Sequence, residues 1–135
     1  NVQAFKLTSS CAISWQKNYG GSVTDNAQSI QQTSDGGYIM AGYTMSSASG
    51  DVTGTTNGGA DVWVVKLTVA GDISWQKNYG GSGNNDVAYS IQQTSDGGYI
   101  MAGRTDSSAS GDVTGTTKGA YDVWVVKLTA LGAIS

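Results

Sequence analysis

Two hydrophobic patterns alternate along this chain. In ISWQKNY (Ile73–Tyr79), Ile73, Trp75, Lys77 and Tyr79 fall on one face of an extended segment, while Ser74, Gln76 and Asn78 fall on the other. That period of two predicts a half-buried strand. In DVWVVKL (Asp61–Leu67) the apolar residues Val62, Trp63, Val64, Val65 and Leu67 occupy both faces, which predicts a strand covered on both sides. The apolar segments are six to eight residues long, rich in β-formers and separated by Gly, Asp, Ser and Asn clusters. This punctuation predicts an all-β chain.

The pattern recurs almost verbatim. ISWQKNYGGS stands at residues 13–22 and 73–82, SIQQTSDGGYIMAG at 29–42 and 90–103, SSASGDVTGTT at 46–56 and 107–117, and DVWVVKLT at 61–68 and 122–129. The spacing is 60 residues for the first pair and 61 for the others, so one residue is inserted between Ser82 and Ser90. NVQAFKLT (1–8) is a diverged copy of DVWVVKLT, and GAIS (132–135) matches 71–74. The organisation expected is a partial unit at 1–22, one unit at 23–82 and a second at 83–135 that lacks most of its last strand.

Each unit divides into four segments: a (89–94), b (98–105), c (122–128) and d (73–79). SDGG between a and b, and TVAGD between c and d, read as tight turns with a glycine at positive φ. The b–c connection (106–121) is long, and d–a runs through GGSGNND (80–86). In an antiparallel meander the b–c and d–a connections emerge at the same end, so they share one loop face. A four-stranded sheet with apolar residues on both faces cannot bury them alone, and units must stack. Radial stacking of such meanders is the β-propeller.

The succession SDGGYIMAG, loop, DVWVVKL, glycine turn, ISWQKNYGG resembles the blades of bacterial and archaeal secreted or surface β-propeller repeat proteins, and more distantly kelch blades. The resemblance covers nearly the whole chain, twice. It implies four-stranded antiparallel blades and an extracellular or cell-surface location. The double glycine precedes segment b, whereas kelch places it after. The unit also exceeds the roughly 40–50 residues of WD or kelch blades. Propellers close with four or more blades. Two units therefore imply flanking blades or copies of the same chain as partners.

Composition narrows the chemistry. The chain has no His, Glu or Pro, and all ten acidic groups are Asp. Without His there is no imidazole base, no Ser-His-Asp or Cys-His arrangement and no His-ligated metal. A net charge of −3 offers no basic field for nucleic acid or an anionic membrane. The apolar runs fall far short of the roughly 20 residues of a spanning helix, so no membrane insertion is expected. The single Cys11 permits no internal disulfide and stands where the second unit has Gly71. The chain begins at Asn1 with no signal-peptide pattern, which fits a processed product or part of something longer.

The loop face supplies the candidate ligand-binding residues Asp51, Asp86, Asp112, Asn84, Asn85, Tyr43, Arg104 and Tyr121. Asp51 with Asp61, and Asp112 with Asp122, offer hard oxygen ligands for Ca²⁺, though without EF-hand spacing. The competing reading is that these side chains cap their own turns. Trp15, Trp63, Trp75 and Trp124 lie inside strands and are expected to fill space between blades. Lys66 and Lys127 are expected to lie along apolar surface with the ammonium in water or against an Asp. Near-identical units without a unique acidic cluster argue against catalysis and suit multivalent binding.

The function expected is a non-enzymatic propeller module for binding or self-assembly, without a cofactor. A lectin-like glycan-binding propeller, with Ca²⁺ as a possible cofactor, is the alternative, and a carboxylate-based hydrolase the third reading.

Overall fold

The computed structural model describes residues 1–135, which form nine strands and no helix. They are β1 (Val2–Leu7), β2 (Ile13–Tyr19), β3 (Asp25–Gln32), β4 (Tyr38–Thr44), β5 (Asp61–Leu67), β6 (Ile73–Tyr79), β7 (Val87–Gln93), β8 (Tyr99–Thr105) and β9 (Asp122–Leu128). Each pairs antiparallel with its chain neighbour, giving sheets β1-β2, β3-β4-β5-β6 and β7-β8-β9. A single bridge from Leu128 to Ile134 extends the last sheet. No helix is long and apolar enough to cross a membrane.

The tight turns carry positive φ where expected: Gly36 and Gly97 at 82°, Gly71 at 81°. Cys11 takes the same backbone conformation at 63°, without the freedom of glycine.

Segments c and d coincide with β9 and β6. Segment a begins two residues earlier than the pattern indicates, at Val87, and b one residue later, at Tyr99. The reason for the first shift is a β-bulge. The β7–β8 register slips between Ala88 and Ser90, and the β3–β4 register slips likewise between Ala27 and Ser29. Tyr89 and Gln28 are the extra residues, so alternation breaks where the sequence pattern looks for it. Gly42 and Gly103 sit opposite these bulges, and a Cβ on either would fall about 2 Å from a backbone oxygen of the facing strand.

A second bulge corrects the face assigned to Ile73. Trp75 pairs with Lys66 and Ile73 with Leu67, so one residue is skipped. Ile73 consequently packs with Met40, Trp63, Val65 and Leu67, on the face opposite Trp75.

The sheets pack face to face. Ile39, Ala41, Val62, Val64 and Tyr79 of the middle sheet meet Ala88, Ile91, Tyr99, Met101, Val126 and Leu128 of the third. The opposite face of the middle sheet meets Val2 and Tyr19 of the first. β5 is therefore buried at all seven positions. β9 has the same sequence, but its outward face is bare, with Val123 81% and Val125 57% exposed. Identical heptapeptides thus differ only in what covers them.

A candidate ligand cavity on the loop face

The b–c and d–a connections meet between the second and third sheets. Gly59 N–H donates to Gly83 O (3.1 Å), Ala60 N–H to Asn84 O (2.8 Å) and Asp86 N–H to Ala60 O (2.8 Å). This short parallel bridge pins the insertion-bearing connection to the loop of the preceding unit. Beneath it lies a cavity of about 250 Å³. Gln28, Tyr43, Met45 and Ala60 line it from the preceding unit; Asn84, Asn85, Val87, Tyr89 and Arg104 line it from the following one.

The two units differ at few positions, and the cavity wall is built of them. Gln28 corresponds to Tyr89, Asn26 to Val87, Tyr43 to Arg104, Met45 to Asp106 and Ala60 to Tyr121, while Asn84 and Asn85 lie in the stretch that gained a residue. Every lining residue stands at a position where the copies diverge. The bulges matter here, because Gln28 and Tyr89 are the two bulged residues and leave the regular alternation to reach this wall. Both copies of segments c and d, at 61–67 and 122–128 and at 13–19 and 73–79, are unchanged between units.

Arg104 stands at the end of β8, beside Val87 across the ladder. Its guanidinium carbon lies 4.5 Å from the Tyr121 ring centroid and 5.9 Å from that of Tyr89, within cation–π range. The guanidinium enters none of the three ion pairs, and its Nε is buried with no hydrogen-bond partner. Tyr43 and Arg104 are strand residues, whereas Tyr121 lies just before β9.

The remaining candidates separate from this cavity. Asp51 Oδ2 accepts from Gly20 N–H, and Asp112 Oδ2 from Gly80 N–H, each at 3.1 Å, while each Asp donates its own N–H back to the same glycine's carbonyl. Asp61 and Asp122 accept from the backbone N–H of Asn57 (2.9 Å) and Lys118 (2.8 Å). Asp86 is buried and accepts from Thr105 Oγ1, Gly81 N–H and Ser107 Oγ. These carboxylates hold loop backbone, and no three of them gather as a metal-ligand group.

One carboxylate oxygen is left over. Asp61 Oδ1 is buried without a partner, and burial together with the charges of Asp86 and Asp112 pushes its carboxyl up to about 6.

Of the four tryptophans only Trp63 is fully buried, its indole N–H donating to Gln76 (2.8 Å). Trp15 and Trp75 are half-buried and meet Tyr38 and Tyr99 of the next sheet edge-on, at 5.7 and 5.9 Å, so they fill space between sheets without leaving solvent. Trp124 is half-buried against the core shared by the second and third sheets. Lys66 and Lys127 each reach an Asp, Asp35 and Asp96, at 2.8 Å.

Sequence reasoning on the single unit did not single out Gln28, Met45, Ala60, Val87 or Tyr89. Comparing the two copies position by position marks all of them. No protein-family model and no curated protein matches this chain.

Proposed function

We propose that this chain is an arc of a β-propeller-type repeat protein, without catalytic activity, which binds a ligand in the loop-face cavity between successive units at the cell surface or outside it. The observation that carries the reading is the composition of the cavity wall: the units agree at most positions, yet every residue lining the cavity differs between them. A scaffold kept constant while one concave surface varies is the pattern of a recognition module. The wall includes no carboxylate, so it offers no acid–base pair for hydrolysis. The resemblance to surface propeller repeats, and a Ser-, Thr- and Asp-rich exterior, support the location.

The test is a thermal-shift screen of saccharides and peptides against the chain and its Tyr43→Ala and Tyr89→Ala variants. Ligands that stabilise the parent and not the variants support the reading; ligands that stabilise all three equally place binding elsewhere and overturn it.

The bare face of β9 favours a second reading, self-assembly. Its counterpart on β5 is covered by the next sheet, and another repeat of the same kind fits over Val123 and Val125. Concentration-dependent sedimentation that Val125→Asn abolishes would support it, and a single monomeric species at high concentration would remove it.

A further inference from the structure

The cavity combines one unpaired guanidinium, two tyrosine rings and three amide side chains, with no acidic side chain in its wall. We infer that the loop-face cavity takes a carboxylated sugar, a ring of the uronate type whose carboxylate docks on Arg104 while its hydroxyls meet Asn84, Asn85 and Gln28. This inference rests on the reading of the cavity as a ligand site.

Arg104 is the first reason. Arg104 lines the cavity without entering any ion pair, so its terminal N–H groups are free to form the planar fork that a carboxylate grips through two parallel bonds, and its buried Nε–H, also without a partner, shows that no group of the chain claims this guanidinium. Stacking on Tyr121 and Tyr89 holds the fork from the side, which fixes its orientation without using its hydrogens. The cavity carries a single positive charge, which matches one carboxylate; a phosphate dianion would call for further cations, and Arg104 is the one cation in the wall.

The neutral part of the wall is the second reason. Tyr43 and Tyr89 present rings on which the C–H face of a sugar can lie, and an amide offers a donor and an acceptor side by side, the complement of neighbouring hydroxyls. At about 250 Å³ the cavity is smaller than the sites that enclose drug-sized molecules and suits one ring. A peptide would need pockets for its side chains, and the aliphatic wall residues are only Ala60, Met45 and Val87. The overall charge of −3 means that no long-range field collects anions, so recognition falls to the local fork.

The test is calorimetric or NMR titration of the 135-residue chain with methyl glucuronide, methyl glucoside and acetate. The expected result is saturable binding of the glucuronide, with the neutral glucoside and acetate each weaker by roughly tenfold or more. Arg104→Tyr installs the residue that the preceding unit carries at this position, so the fold is expected to survive, which its melting curve checks. That variant should bind glucuronide and glucoside alike, and Arg104→Lys should recover only part of the preference. Equal binding of glucoside and glucuronide by the parent, or an unchanged preference in Arg104→Tyr, overturns the inference. An acidic peptide that binds in place of the sugar and is weakened by Tyr43→Ala and Tyr89→Ala would refute the sugar while leaving the cavity a ligand site. Indifference of every ligand to those two substitutions would remove both.

Discussion

Asp61 and Asp86 converge beside Gly80, where a Cβ would stand 2.7 Å from Asp61 Oδ1 and 2.8 Å from Asp86 Oδ2. In the preceding unit Asn1 occupies the position of Asp61 and Asp25 that of Asp86. There the Asn1 amide nitrogen, in the orientation its neighbours require, donates to Asp25 Oδ2 and to Gly21 O, each at 3.1 Å. The place calls for a donor, and Asp61 supplies one only when protonated.

A pH dependence of stability follows. Asp61 titrates at about 6 in the folded chain against 3.8 for the ordinary side chain, with burial the main cause and Asp86 and Asp112 adding to it. The folded state therefore holds a proton that the unfolded state has released, and stability falls as pH rises from about 4 through about 6, then levels off. Asp35 and Asp96, both held below the usual carboxylate range first by a hydrogen bond from a lysine, act in the opposite sense and only at lower pH, where their stabilisation is lost. Asp61→Asn reproduces the Asn1 arrangement. It is expected to flatten the slope between pH 4 and 7 and to stabilise the chain at neutral pH by at most about 3 kcal/mol. Urea unfolding at a series of pH values measures both, and an unchanged slope in the variant would falsify the assignment to Asp61.

The two lysine–aspartate pairs share a sequence and differ in burial. Each lysine also donates to the next residue's carbonyl, Lys66 to Leu67 O at 3.0 Å and Lys127 to Leu128 O at 3.2 Å, but Lys66 is 6% exposed and Lys127 33%. Asp35→Asn leaves a buried ammonium with one carbonyl for company and is expected to cost about 1–2 kcal/mol, discounted from the full buried-pair value because Asp35 itself faces solvent. Asp96→Asn should cost less, since water reaches Lys127. Chemical denaturation of the two variants decides the order, and the reverse order would contradict the burial argument.

Cys11 offers a backbone test. It holds φ at 63° where the later turns use Gly71 and Gly132, so a side chain occupies a left-handed position. Cys11→Gly relieves that strain but frees the unfolded chain, for a net gain of about 0.5–1 kcal/mol. The reverse exchange, Gly71→Cys, should lose about 1–2 kcal/mol, because its Cβ would also press on the Trp15 ring at 3.1 Å. Melting temperatures that move the same way in both variants would refute this account.

The repeat, its four strands and its two kinds of turn were legible in the sequence because a period of two and glycine punctuation are local signals. The bulges at Gln28, Tyr89 and Ser74 were not, since an extra residue is fixed by the partner strand, with Gly42 across from Gln28, Gly103 across from Tyr89, and Lys66 and Leu67 across from Ser74. That is why Ile73 was assigned to the wrong face and segment a started late. The loop aspartates were legible as turn caps, but their convergence on Gly80 needs the fold. Asn84, Asn85, Tyr43 and Arg104 were legible as loop-face residues. Their neighbours Gln28 and Tyr89 look like ordinary strand positions until the bulges turn them to the cavity.

Val64 and Val125 separate intrinsic strand character from coverage. Both sit at the same place in DVWVVKL, Val64 with no exposure and Val125 57% exposed, because the third sheet lies over β5 and nothing in the chain lies over β9. Asparagine at Val64 would bury an amide between sheets in the cluster of Ile91, Met101 and Val126, whose side chains offer it no hydrogen-bond partner, at a cost of about 3 kcal/mol or more. The same substitution at Val125 leaves the amide in water and should change stability by no more than about 0.5 kcal/mol. Equilibrium unfolding at low protein concentration, where association does not contribute, gives the comparison. Equal losses at the two sites would mean that the outward face of β9 is covered in solution, and would make self-association the first property to measure.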